Sequence, residues 1–142
     1  MKRFIFFAAF MLITAFTMPL FGAFQSSTVN GDIIVTDTET GLIWQKTYVS
    51  SKTWQQALDY CENLTYAGYT DWRLPNKNEL ASLVNYAKYG PASDFPDMPS
   101  DGWFWSSSTF VGSTNRAWHV YFTHGPVSYD SKTNDNDVRC VR

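Results

Sequence analysis

Residues 68–80 read GYTDWRLPNKNEL, a stretch that combines a chain reversal, a large aromatic residue, an arginine and a helix start. Gly68 marks the reversal, and Pro75 keeps the residue before it out of helical geometry while presetting its own φ for a helix. Asn76 followed three residues later by Glu79 is the N-x-x-E form of a capping box. The stretch therefore predicts a loop held at both ends and followed by a helix.

Four side chains of this stretch are expected to have structural roles: Trp72, Arg73, Asn76 and Glu79. Trp72 would fill the core, Arg73 would pair with an acid, and the last two would cap the helix, because packing and capping are far commoner tasks than catalysis. The helix is expected to span Asn76–Tyr86. Its buried face would consist of apolar residues at helical spacing: Leu80, Leu83 and Val84.

A first, longer helix is predicted upstream over Thr53–Leu64, where Thr53 and Gln56 form another capping box. Its apolar residues fall on one face: Trp54, Ala57, Leu58, Cys61 and Leu64. Cys61 is therefore expected to point into the core, where a later strand can reach it.

Short strands are predicted on both sides of the helices. Asp32–Thr36 and Leu42–Lys46 predict a hairpin, because turn residues and Gly41 separate two apolar runs. Downstream, Ala92–Asp101 predicts a long irregular loop. Further strands are expected at Trp103–Ser107, Ala117–Thr123, Val127–Tyr129 and Val138–Val141. This order predicts an α+β fold with two helices packed on small antiparallel sheets and with long irregular loops.

Two cysteines, Cys61 and Cys140, are expected to form a structural disulfide. They lie 79 positions apart, and closing a loop of that length stabilises a fold by about 4.5 kcal/mol in the chain-entropy model. A redox-active or metal-binding pair would favour C-x-x-C spacing, which the sequence does not contain.

The first 23 residues predict an export signal, Met1–Ala23, with a basic start and a long apolar run. An uncleaved membrane anchor is the alternative, since the run is about long enough to span a bilayer. Phe24–Gly31 is expected to be a flexible polar lead-in, and residues 32–142 are expected to form one domain.

The composition excludes one class of partner. Without Lys2 and Arg3, the 11 basic residues fall to 9 against 13 acidic residues, a net charge of about −4. A nucleic-acid binder would carry a net basic patch, so nucleic acid is not expected as a partner.

Five segments carry a resemblance to a known family: Thr40–Trp44, Thr53–Cys61, Asp71–Leu80, Phe104–Ser108 and Val138–Arg142. In this order they resemble the Lcl C-terminal domain family, whose name comes from the Legionella collagen-like adhesin. The pairing of a helix cysteine with a last-strand cysteine also resembles the C-type lectin-like fold. Arg73-Leu74-Pro75 ahead of a helix that bears a glutamate resembles the formylglycine-generating-enzyme branch of that fold.

The family resemblance implies an exported, non-catalytic adhesion domain that binds a glycan or a cell-surface protein and forms trimers. Binding of sulfated glycans is disfavoured by the acidic charge, and the sequence contains no collagen-like repeat. A fold alone does not fix a ligand, so the binding residues have to be argued from the loops.

The ligand is expected to contact three segments: Ala92–Ser108, Asn115–Arg116 and Asp130–Asp137. Within and beside them, four side chains suit stacking or pairing with a glycan or protein: Trp103, Trp105, Arg116 and Tyr129. Lectin-type calcium sites use Asn, Asp and Glu oxygens, and the candidate ligands here are Asn134, Asp135, Asn136 and Asp137. A solvated turn is the alternative for that tetrapeptide. A second acidic loop holds Asp94, Asp97 and Asp101.

No enzymatic motif stands out. Ser106–Ser108 lacks a nucleophile elbow, and formylglycine-type oxidation needs reactive cysteines. His119 and His124 would lie on opposite faces of a strand, so each is expected to be a single exposed residue.

The leading hypothesis is therefore a recognition domain in the periplasm, at the cell surface or secreted, with no membrane span in the mature form. The alternatives are an enzyme of the formylglycine-generating type, or a relic of one, and a structural component of a cell-surface assembly.

Overall fold

The computed structural model describes residues 23–142, so the predicted export signal lies outside the described residues except for Ala23. Within that range the chain is α+β, as predicted, and it contains two helices and eight strands. The strands are β1 Phe24–Val29, β2 Asp32–Asp37, β3 Ile43–Gln45, β4 Val49–Lys52, β5 Trp103–Thr109, β6 Arg116–Tyr121, β7 Val127–Ser131 and β8 Asn136–Val138; the helices are α1 Trp54–Glu62 and α2 Lys77–Ala81. Neither helix is long and apolar enough to cross a membrane.

The first sheet is antiparallel, in the order β1-β2-β3. The predicted hairpin of β2 and β3 is confirmed, with Val35 opposite Trp44. The expectation of a flexible lead-in at Phe24–Gly31 is wrong, because β1 pairs with β2 along its whole length. Asn30 and Gly31 have φ values of 50° and 88°, which suit the two-residue turn that an Asn-Gly pair favours. The polar side chains of β1 face solvent while its backbone completes the sheet.

The second sheet has the order β4-β8-β5-β6-β7. β6 pairs antiparallel with both β5 and β7, whereas β5 pairs with β8 in parallel, so the larger sheet is mixed and not wholly antiparallel as predicted. The closing strand differs from the prediction, since β8 begins at Asn136, and Val141 instead forms isolated bridges with Trp44 and Arg73. Through those bridges the C-terminus joins both the first sheet and the stretch that precedes α2.

Helix α1 begins as predicted. The Thr53 hydroxyl accepts from the Gln56 amide, and the Gln56 side chain accepts from the Thr53 amide. Ala57 and Cys61 are fully buried on the inner face. A disulfide joins Cys61 to Cys140 with 5.6 Å between their Cα atoms, which confirms the predicted pairing.

Helix α2 is shorter than predicted and ends at Ala81 instead of Tyr86. The amides of Leu83 and Val84 bond three residues back, and the Asn85 amide bonds to the carbonyl of Ala92 instead of continuing the helix. Leu80 and Leu83 are still buried, so the apolar spacing indicated the packed face but not the length.

The stretch that precedes α2 is held by side-chain contacts. Trp72 is buried and donates from Nε1 to the Tyr66 carbonyl at 3.1 Å. Arg73 forms two bonds of 2.7 Å with the carboxylate of Glu79. The same carboxylate accepts from the Asn76 amide, and the Asn76 side chain accepts from the Glu79 amide. Glu79 therefore joins the helix cap to the loop.

The core has two parts on either side of the larger sheet. One surrounds α1 and the disulfide and includes Trp72, Trp105 and Val138. The other includes Trp44 and Phe104, with α2 contributing Leu80. The C-terminal residues belong to both parts, since Cys140 lies in the first and Val141 in the second.

Replacing both cysteines, Cys61→Ala with Cys140→Ala, is expected to lower the free energy of unfolding by about 2–5 kcal/mol, because the bridge closes a loop of 79 residues. Urea unfolding of the variant and the unreduced wild type measures the difference. Thiol titration of the unreduced wild type in denaturant should find no free thiol. Two thiols per chain, or an unchanged unfolding midpoint, would contradict the structural role.

The Arg73–Glu79 pair makes stability depend on pH. The hydrogen bond from Arg73, helped by the Asn76 amide, lowers the pKa of Glu79 in the folded protein. A lowered folded-state pKa stabilises the fold above the unfolded pKa of about 4.3 and stops doing so as pH falls through the folded value. At pH 7 the wild type should therefore have a larger free energy of unfolding than Glu79→Gln, and this difference should shrink on acidification.

Urea unfolding at several pH values measures that difference. Glu62→Gln is the matched control, since Glu62 is exposed and outside the four ion pairs of residues 23–142. A wild-type advantage over Glu79→Gln that stays constant from pH 7 into strong acid would show that the pair does not act through the carboxylate charge.

Candidate functional site

Two adjoining pockets, of about 260 and 320 Å³, share Trp103 and Asn136, and together they are named here the Trp103 groove. The remaining lining residues of the first pocket are Ser51, Asp101, Gly102, Asp135 and Asp137. Those of the second are His119, Ser128, Tyr129 and Asp130. The groove thus joins aromatic rings, of which that of Trp103 is shared by both pockets, to carboxylate, amide and hydroxyl groups.

The sheet places Trp103 at the centre of the groove. Trp103 begins β5 and lies opposite Tyr121 of β6, so both side chains project from the same face. The two rings stack with centroids 4.1 Å apart and planes 12° apart, and His119 lies 4.5 Å from the Trp103 ring. Trp103 nevertheless keeps 38 % of its surface exposed, which leaves it available to a ligand.

The groove is acidic. Four of its lining residues are aspartates, Asp101, Asp130, Asp135 and Asp137, and no lysine or arginine of residues 23–142 lines either pocket. Burial raises the pKa of Asp137, and the nearby charge of Asp101 adds to the effect. Such a surface favours a neutral or cationic ligand and repels an anionic one.

Trp105 is not accessible to a ligand, which corrects its prediction as a contact residue. It is completely buried, and its Nε1 donates to the carbonyl of Lys52 at 2.9 Å. Trp103 and Trp105 project from the same face of β5, but α1 and the disulfide cover the part of that face where Trp105 lies.

His119 was expected to be exposed, and the structure corrects this too. It is 5 % exposed, lies near the rings of Trp103 and Trp105, and has Nδ1 3.4 Å from Nδ2 of Asn136. Burial lowers the pKa of His119, although the charge of Asp130 opposes the shift. His124 is exposed, as predicted.

Arg116 and Tyr129 belong to a second cluster, here named the aromatic–basic cluster, with Phe110, Trp118 and Lys77. Tyr129 is 40 % exposed and stacks on Phe110 with centroids 4.0 Å apart. The guanidinium of Arg116 lies 5.5 Å from the Tyr129 ring, and Nζ of Lys77 lies 4.8 Å from the Trp118 ring. Neither cation takes part in the four ion pairs found among the described residues.

The predicted calcium ligands are divided among different contacts. Asn134 donates to Asp130 at 2.8 Å, and the buried Asn136 faces His119. Asp135 and Asp137 line the first pocket. Within residues 23–142, no three His, Cys, Asp or Glu side chains are grouped so that they could hold a metal ion.

The three aspartates of the second acidic loop also have different partners. Asp94 forms an ion pair with Lys88, and Asp97 forms one with Lys46 at 2.8 Å. The hydrogen bond from Lys88 lowers the pKa of Asp94. Only Asp101 of this loop contributes to the groove, so the loop is no common ligand set.

The sequence reasoning missed three groove residues, Ser51, His119 and Ser128, and it missed Tyr121, whose ring stacks on Trp103. The alternation of β6 had placed His119 and Tyr121 on one face, but nothing in the sequence said that β5 would pair with β6 and bring Trp103 onto that face. Ser51 belongs to β4, a strand with no apolar alternation to reveal it.

Comparison with known proteins gives one positive result. The family model described as the Lcl C-terminal domain matches residues 33–142, which is nearly the whole described part of the chain. A search of curated proteins found no match.

The two tryptophans of β5 should respond differently to truncation. Trp105→Ala is expected to cost about 3–5 kcal/mol, because it opens a cavity in the core and leaves the Lys52 carbonyl without its donor. Trp103→Ala should cost clearly less, about 2 kcal/mol, because 38 % of Trp103 is already exposed and only its partial burial and its stacking on Tyr121 are lost. Urea unfolding of both variants measures this, and equal losses would contradict the assignment of Trp103 to the surface.

Proposed function

This chain belongs to the Lcl C-terminal domain family, and we propose that it is an exported, non-catalytic recognition domain that binds a glycan in the Trp103 groove. The observation that carries the proposal is a half-exposed tryptophan surrounded by carboxylates, an amide and hydroxyl groups. The adhesin-like character of the family supports a binding task rather than a chemical one.

The groove offers both kinds of contact that a sugar needs. A pyranose has an apolar face of C–H groups, which packs on an aromatic ring, and an edge of hydroxyl groups, which seeks donors and acceptors. Trp103 offers the ring, and Asn136, Asp137, Ser51 and Ser128 offer polar atoms around it. The carboxylates favour neutral or amino-bearing sugars over sulfated ones.

Two features support export and the lectin-like architecture. The Cys61–Cys140 disulfide is of a kind that persists in oxidising compartments, in keeping with the predicted signal. A C-type lectin-like fold is supported by two helices packed on largely antiparallel sheets and by a disulfide from α1 to the C-terminal segment. Periplasm, cell surface and medium are all compatible with these features.

The alternative of formylglycine-type oxidation would need free cysteines. Both cysteines of this chain are bonded to each other, which supports a non-catalytic role. The third hypothesis, a structural component of a cell-surface assembly, is tested by the molecular mass of the purified domain in solution together with a search for a partner in the same envelope compartment.

The aromatic–basic cluster carries a second candidate function, binding of an anionic glycan. Arg116 and Lys77 lie over aromatic rings and outside every ion pair of the described residues, so they are available to sulfate or carboxylate groups. Tyr129 belongs to both candidate surfaces, but Arg116 and Lys77 line neither pocket of the groove, so mutation of Trp103 and mutation of Arg116 test the two surfaces separately.

A glycan array that contains neutral, amino-bearing and sulfated glycans tests both candidates on the domain of residues 24–142. The wild type is expected to bind neutral or amino-bearing glycans, Trp103→Ala is expected to lose about 10-fold or more in affinity, and Arg116→Ala is expected to bind as the wild type does.

Arg116→Ala is the matched control because it removes an exposed side chain that lines neither pocket of the groove. Binding of sulfated glycans alone, lost in Arg116→Ala and kept in Trp103→Ala, would reject the groove in favour of the cluster. Absence of binding to every glycan would remove the support for both the groove and the cluster. Repeating the positive measurements with and without calcium shows whether residues 134–137 contribute an ion.

A further inference from the structure

Aromatic rings continue from the Trp103 groove across the surface in an unbroken line. Trp103 stacks on Tyr121 at 4.1 Å, Tyr121 lies 5.6 Å from His124, and His124 lies 4.7 Å from Tyr89. These four residues are named here the aromatic strip. Its far end is highly exposed, with Tyr89 71 % accessible, although no packing need in the core requires an aromatic residue there.

Backbone hydrogen bonds fix the strip between segments far apart in sequence. The amide of Phe122 donates to the Gly102 carbonyl, which holds the start of β5 beside the end of β6. The Gly90 amide donates to Thr123 and the Ala92 amide donates to Phe122, which hold the turn that carries Tyr89 beside His124. The strip therefore rests on paired backbone instead of a free loop, and its rings keep their spacing without a ligand.

We propose that the ligand is a linear glycan of several rings that runs along the strip from Trp103 to Tyr89; this rests on the proposed function of the Trp103 groove. A single sugar would need only the groove. The Trp103 and Tyr121 rings face each other and Tyr89 meets His124 edge-on, so the strip is a continuous row of rings with steps of 4.1, 5.6 and 4.7 Å and not a set of separate flat platforms. A continuous aromatic surface of that length suits an extended polysaccharide better than a terminal sugar or a compact peptide.

The charges along the strip define the ligand further. Four aspartates surround its Trp103 end, and Lys88 beside Tyr89 is neutralised by Asp94. No free cation of residues 23–142 lines the groove, so a sulfated or uronic polysaccharide would meet only repulsion there. The negative charge of the groove is compatible with an uncharged polysaccharide chain and attracts an amino-bearing one.

Oligomers of β-1,4-linked glucosamine and N-acetylglucosamine, two and six units long, test the length dependence by titration calorimetry. The wild type is expected to bind a hexamer about 10-fold more tightly than the corresponding dimer. Tyr89→Ala should weaken hexamer binding by about 3- to 10-fold, the scale of one stacking contact, and leave dimer binding unchanged. Trp103→Ala should weaken binding of both lengths.

Tyr86→Ala is the matched control, because Tyr86 is 73 % exposed on the same turn and makes none of the ring contacts of the strip. The strip would be overturned if Tyr89→Ala and Tyr86→Ala bound the hexamer with equal affinity. It would also be overturned if the wild type bound the dimer and the hexamer with equal affinity. In either case, weaker binding by Trp103→Ala would still support the groove. Unchanged binding in Trp103→Ala would instead reject the groove and the proposed function with it. Absence of binding by both oligomer series would overturn this ligand class.

Discussion

The C-terminal residues 139–142 lie between α1, β3 and the stretch ahead of α2, and each is fixed by a different interaction. Cys140 is bonded to α1 through Cys61, while Val141 exchanges two backbone hydrogen bonds of 2.9 Å with Arg73. Arg142 pairs with Asp71 at 2.7 Å. Because β8 directly precedes these residues, the constraint also fixes the strand that supplies Asn136 and Asp137 to the groove.

Arg139 fixes the same C-terminal segment through polar contacts. Its guanidinium is buried and donates to the carbonyls of Gln45 and Lys46, and it lies 4.3 Å from the ring of Phe95. Burial lowers the pKa of Arg139 to about 10, and the described residues place no carboxylate in an ion pair with it. Backbone carbonyls thus accept from the buried cation, although its Nε has no partner among the described residues, and the end of β3 is tied to the C-terminal segment.

Local chemistry made much of the fold predictable, and non-local packing made the rest unpredictable. The capping boxes at Thr53 and Asn76 depend on neighbours three residues away, so the sequence contains the whole signal. The exposure of Trp103 and the burial of Trp105 have no such signal, because alternation puts both on one face and only the position of α1 separates them. Arg139 was missed for the same reason, since its acceptors lie more than ninety positions away.

The net charge of the chain is a poor guide to the ligand when charges of opposite sign gather at different places on the surface. The mature chain is acidic on average, yet its charges gather at different places: four aspartates line the groove, while Arg116 and Lys77 lie over rings of the aromatic–basic cluster and line neither pocket. The average therefore disfavours an anionic ligand at the groove and says nothing about the cluster. What decides a ligand here is the charge within about one Debye length, about 8–10 Å, of each exposed ring.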